Sequence, residues 1–133
     1  MRSRIYRWAM PSATVDLATF RSFVSDALDE LPADLAERME NVEIVVEEEP
    51  PREYLDGLPG GGTLLGLYHG IPLTKRSRYE GALPDKISIY KGPIERFART
   101  PEGVRRQVRK TVFHEIAHYF GIEEERLHEL GWG

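Results

Sequence analysis

Cysteine is absent from the 133-residue chain, and that absence removes several kinds of chemistry at once. There can be no disulfide, no thiolate nucleophile, no CxxC redox pair and no cysteine-held zinc finger or iron–sulfur cluster. Any metal centre must draw on His, Asp and Glu. Long apolar runs are also missing. No segment approaches the ~18 consecutive apolar residues of a membrane span, and the basic stretch Met1–Pro11 is not followed by a secretory-type apolar core. The expectation is a cytoplasmic protein that does not engage membranes. Positive charge is in deficit, with 18 basic against 22 acidic residues and a formal net charge of −4, which argues against a general nucleic-acid binder.

What the chain does contain is enough for one core: 41% of its residues are hydrophobic, over a length typical of one domain. The reading is a single domain over 1–133, with 1–13 as an N-terminal arm. Leu17, Phe20, Phe23, Val24, Ala27, Leu28 and Leu31 recur at helical spacing, so a helix is expected from Thr14 to the break at Pro32. A short helix from Ala33 to Met39 should bury Leu35 and Met39. The β-branched run Val42–Glu47 reads as a strand, as do Thr63–Tyr68 and Lys86–Tyr90.

Between the first two strands, residues 50–62 are rich in proline and glycine. No Gly-Lys-Ser/Thr follows Gly60-Gly61-Gly62, so a flexible connection is preferred to a phosphate loop. Pro93–Arg99 should form a turn or two of helix. Pro101, following Thr100, should open a long helix that stops at Gly121, and a last short helix is expected over Glu123–Leu130. Helices, then strands, then helices make an α+β domain.

The long helix carries His114-Glu115-Ile116-Ala117-His118. Residues four apart differ by about 40° around a helix, so the two imidazoles point the same way, one turn apart. They can occupy two corners of a tetrahedral zinc site, with Glu115 beside them as general base. Phe113, Ile116, Ala117 and Phe120 form one apolar flank, and Val104, Val108 and Val112 another. The polar remainder, Gln107, Thr111, His114 and His118, suits the floor of a cleft. A third ligand is required, and a left-handed turn at Gly121 could return the following residues toward the histidines. Glu123, Glu124, Glu125 and His128 are the candidates on spacing. Tyr68, His69, Tyr90 and His128 are candidate oxyanion or supporting groups, and the Thr63–Tyr68 edge could receive a peptide by strand addition. The cations Arg96, Arg99, Arg105, Arg106, Arg109 and Lys110 are interleaved with Glu95 and Glu102, which is the pattern of a solvated face.

From Met39 to Gly131 the sequence resembles a family of small bacterial zincin-like metallopeptidases, the minimal zincins. The resemblance is carried by Glu49-Pro50-Pro51, Leu64–Tyr68, Ile71–Thr74, Ile87–Pro93, Thr111–Ile122 and Glu125–Trp132. It implies a zincin-like fold with a small mixed sheet beside a long metal-binding helix, preceded by N-terminal helices. It also implies Zn²⁺ as cofactor and a peptide or protein as substrate. In the HExxHxxGxxE pattern, His114, His118 and Glu124 are the expected ligands and Glu115 the catalytic base, with Glu125 and His128 as alternative ligands or supporting groups. Glu124 stands where metzincins carry a third histidine, and no methionine follows the motif to make a Met-turn. The expected activity is metal-dependent hydrolysis of peptide bonds, with a partner subunit as one source of the lower half of the cleft. The competing expectation is a metal-stabilised interaction module without turnover.

Overall fold

The computed structural model describes residues 14–39, 41–56, 58, 63–70, 85–122, 125 and 129. The first helix, α1, spans Leu17–Asp29. It begins three residues later than expected because the Asp16 carboxylate caps it, accepting from the Thr19 amide at 2.7 Å. Phe20, Val24 and Ala27 are its buried face, while Leu17 is exposed. Helix α2 (Ala33–Arg38) buries no residue fully; Leu35 and Met39 are half-buried, so this turn of helix rides on the core's margin.

Three strands follow: β1 (Val42–Glu47), β2 (Gly66–His69) and β3 (Asp85–Tyr90). They form a mixed sheet in the order β1-β3-β2, with β1 parallel and β2 antiparallel to the central β3. Register gives the two faces their characters. Ile87 and Ile89 pair across with Ile44 and Val46 on one side and with Tyr68 and Gly66 on the other, and this face joins the core. The opposite face carries Lys86, Ser88 and Tyr90 of β3, with Glu43, Val45 and Glu47 of β1 and Leu67 and His69 of β2.

Helix α3 (Lys91–Ala98) leaves β3 without an intervening loop, two residues ahead of the expected Pro93 start. It is held by a buried ion pair: Lys91 Nζ meets Glu95 Oε2 at 2.9 Å, and the same oxygen accepts from the Val15 amide at 2.9 Å. That carboxylate therefore ties α3 to the chain entering α1. Helix α4 (Pro101–Tyr119) starts where the sequence predicts, with Thr100 Oγ1 accepting from the Gly103 amide at 3.0 Å. Val104, Val108, Val112 and Ile116 are fully buried, packed with Phe20, Ile87, Ile89 and Ile94. The helix ends as Gly121 turns at φ 76°, its amide bonding His118 O while the Ile122 amide bonds Ala117 O. This pair of bonds is a Schellman closure, which reverses the chain directly after the second histidine. Beyond it Glu125 and Glu129 are helical, in keeping with the expected final helix. No helix among the described residues is long and apolar enough to cross a membrane.

Candidate metal centre

On α4 the rings of His114 and His118 stand with centroids 4.8 Å apart, and their Nε2 atoms approach to 3.1 Å. Two neutral imidazoles meeting through Nε2 share one proton at most, and loss of that proton would leave both nitrogens free to bind one metal ion. Ligands about 2.05 Å from a tetrahedral zinc would stand about 3.3 Å from one another, and the observed separation matches that bite with little movement. Both rings are half-buried.

Glu115 occupies the adjoining stripe and is 8% exposed. Its position is set by β2. Thr111, Glu115 and Tyr119 lie one turn apart on the stripe of α4 that faces this strand. A Cβ placed on Gly66 would lie 2.6 Å from Thr111 Cγ2 and 3.3 Å from Glu115 Cγ, so only a residue without a side chain allows the strand so near the helix. Further along, Tyr68 meets Tyr119 edge-on with ring centroids 6.1 Å apart, so β2 and α4 run in the same direction.

A cleft of about 230 Å³ opens between strand and helix. Thr63, Leu64, Leu65 and Gly66 wall one side. Gln107, Lys110, Thr111, His114 and Glu115 form the other. Three members of the polar stripe read from the sequence, Gln107, Thr111 and His114, thus line a cleft, with Gln107 Nε2 donating to Thr111 Oγ1 at 3.0 Å, while His118 is not among its lining residues. Two members of this cleft do not emerge from sequence reasoning. Charge pattern alone groups Lys110 with a solvated cationic face. Gly66 carries a signal that is easily passed over, because a glycine inside a strand pattern is itself a sign of close backbone approach.

Of the proposed third ligands, Glu124 and His128 lie outside the described residues, as does Glu123. Glu125 is exposed, and among the described residues no group of three His, Asp or Glu side chains converges on one point. The proposed supporting groups are dispersed. The Tyr68 hydroxyl donates to Asp85 Oδ2 at 2.7 Å. His69 lies on the sheet face turned away from the core, with Nε2 3.3 Å from Ser88 Oγ, which in turn donates to Glu47 Oε2 at 3.0 Å. Burial holds the His69 imidazole below its usual range, and the neighbouring Lys86 charge adds to this. Tyr90 is fully buried on that same face, its hydroxyl without a hydrogen-bond partner among the described residues, and burial pushes that hydroxyl up.

The zincin-like metallopeptidase family model matches residues 39–132. The chain belongs to that family. Zincin-like domains typically bind zinc, and the imidazole pair described above is chemically suited to it. A solved structure, a conserved hypothetical protein from Thermus thermophilus, resembles this zincin-like chain with a TM-score of 0.56 at 23% identity, over 87% of this chain and 97% of the other. At that identity the likeness speaks for the fold. No curated protein matches the sequence.

Proposed function

We propose that this zincin-like domain is a zinc-dependent peptidase. The observation that carries the reading is the 3.1 Å approach of His114 and His118 Nε2 on the helix that also bears the buried Glu115, with His114 and Glu115 lining a cleft beside the Leu64–Gly66 backbone. His114 and His118 would hold the metal, with Glu124 as the third ligand and His128 or Glu125 as its substitute. Bound there, zinc would supply Lewis acidity for activating water and the scissile carbonyl. Glu115 then accepts the proton of the attacking water at its carboxylate and delivers it to the leaving amine. Its burial against β2 favours proton exchange with the reacting groups over exchange with solvent.

Substrate alignment follows from the sheet. Among the described residues β2 is at the end of the order β1-β3-β2, so an extended peptide would add to its outer side, with the backbone around Leu64–Gly66 setting its register above α4. The partner expected on this reading is a peptide or protein.

Two substitutions test the assignment. Glu115→Gln should retain stoichiometric zinc and abolish turnover of a peptide library. Glu124→Ala should weaken zinc binding measured by competition with a chromogenic chelator. Unaltered zinc affinity in that variant would move the third ligand to His128 or Glu125. Full zinc loading of the native protein without hydrolysis of any library member would overturn the peptidase reading and favour a metal-stabilised interaction module.

A further inference from the structure

Helix α4 carries four cationic side chains before its histidines, Arg105, Arg106, Arg109 and Lys110, and the fold treats them in two ways. Arg105 pairs with Asp26 of α1 at 3.6 Å and Arg109 with Glu30, the residue that caps α1 at its C-terminus, at 2.8 Å. The Arg109 guanidinium also sits 4.7 Å above the Phe113 ring. These two fasten helix to helix. Arg106 and Lys110 face elsewhere. Both are exposed, and among the described residues neither lies within ion-pair distance of a carboxylate.

Their location gives the difference meaning. Lys110 lines the cleft that holds His114 and Glu115, and with Gln107 it also lines a second hollow of about 280 Å³. That hollow is completed by Arg106, Phe97, Ala98 and Gly103. The two concavities therefore share a wall at Gln107 and Lys110 and together lead, as a track, from His114 toward the start of α4. Phe97 stands in the track 65% exposed, an unusual position for so large an apolar ring. Lys110 is one turn and Arg106 two turns before His114, about 6 and 12 Å along the helix axis. An extended peptide advances about 3.3 Å per residue, so these cations fall opposite residues about two to four positions from the reacting bond.

We propose that this track is the substrate-binding groove on one side of the scissile bond, and that Arg106 and Lys110 select peptides with an acidic side chain there, beside an apolar residue that covers Phe97. The inference rests on the peptidase reading and names the substrate class for that site. In a protein of net charge −4, two cations without an ion pair among the described residues beside a candidate active site would favour acidic segments there.

The experiment uses the full-length Glu115→Gln protein and blocked, fluorescein-labelled peptides. The peptides are identical except for Glu, Gln or Lys at one position two to four residues to either side of a central apolar pair, and binding is read by anisotropy. The Glu peptide should bind about three- to tenfold more tightly than the Gln peptide, on one side of the pair only, with the Lys peptide weakest. Raising salt from about 20 mM to about 500 mM should erase the difference. In R106E/K110E the order should invert. Both positions are exposed, so the variant should keep its circular dichroism spectrum and melting temperature; the single variants R106Q and K110Q provide the same readout with less charge change.

Equal binding of Glu and Gln peptides, a preference that survives R106E/K110E, or no peptide binding at all would overturn the proposal. So would a single-stranded oligonucleotide binding more tightly than the acidic peptide, since the two cations would then be a nucleic-acid surface. Selective binding of acidic peptides that the native, zinc-loaded protein does not cleave would uphold the groove and remove the peptidase reading. Cleavage without charge preference would do the reverse.

Discussion

Gly66 and Thr111 are packed so closely that a single added methyl would bring a carbon on the strand to 2.6 Å from Cγ2 on the helix. This contact sets the distance between the edge strand and the helix that bears the histidines, and so the width of the cleft beside Glu115.

Gly66→Ala should therefore lower the free energy of unfolding by about 1–3 kcal/mol, the usual cost of overpacking. It should reduce turnover beyond what lost folded protein explains. Removing the opposing methyl with Thr111→Ser should recover much of the loss in the double variant. Urea denaturation of the four members of this cycle is the measurement, and strictly additive effects would contradict the contact.

The Lys91–Glu95 pair is almost fully withdrawn from water, with side chains 8% and 7% exposed. Lys91→Met strands a buried carboxylate and should cost about 3–5 kcal/mol. Lys91→Met with Glu95→Gln removes the charge while keeping an acceptor for the Val15 amide, and should be markedly more stable than the single variant. Equal destabilisation of the two, read from chemical denaturation midpoints, would show that the pair is not a coupled unit.

Stability should carry a pH dependence traceable to His69. Burial depresses its folded-state pKa, so the unfolded chain binds the extra proton first as pH falls. The stabilisation from the neutral ring is complete above the unfolded-state pKa of about 6.5 and declines as pH drops through the depressed folded value. Denaturation series at about pH 8, pH 6 and pH 5 should show a steeper loss in the native protein than in His69→Gln. Parallel curves would remove His69 as the source.

Among the described residues two left-handed ones close helices, and they should respond oppositely to substitution. Arg99 ends α3 at φ 68°, where a side chain is unfavourable, so Arg99→Gly should stabilise by about 0.5–1 kcal/mol. Gly121 ends α4 at φ 76°, and Gly121→Ala should destabilise by about 1–2 kcal/mol. Because Gly121 directs the chain that carries Glu123–Glu125, its substitution should also weaken zinc binding, which competition with a chelator would reveal.

Much of this architecture was legible in the residues themselves, and the legible part was local. The His114–His118 pair, the Thr100 cap, the Gly121 stop and the apolar flanks of α4 depend on contacts three to five residues apart, whose geometry a regular helix imposes wherever it forms. The same is true of the alternation in Val42–Glu47, which joins the core as expected. Segment ends moved where side chains outside the periodic pattern intervened. Asp16 delayed the start of α1, and the unbroken passage from β3 into α3 at Lys91 left no loop for Pro93 to terminate.

Other features depend on partners far apart in the chain. No spacing rule links Gly66 to Thr111, the Val15 amide to Glu95, or Asp26 and Glu30 to Arg105 and Arg109, because these pairs meet only after the sheet and α1 have packed against α4. The choice of which cations fasten helices and which line the groove was likewise made by packing. A helix offers the same charges to every direction, and only the neighbours that surround it distinguish a fastening from a binding surface. Chain composition excluded thiol chemistry, and one turn of helix aligned the two imidazoles. The cleft that His114 lines, and the strand above it, arose from burying the sheet's apolar face against that helix.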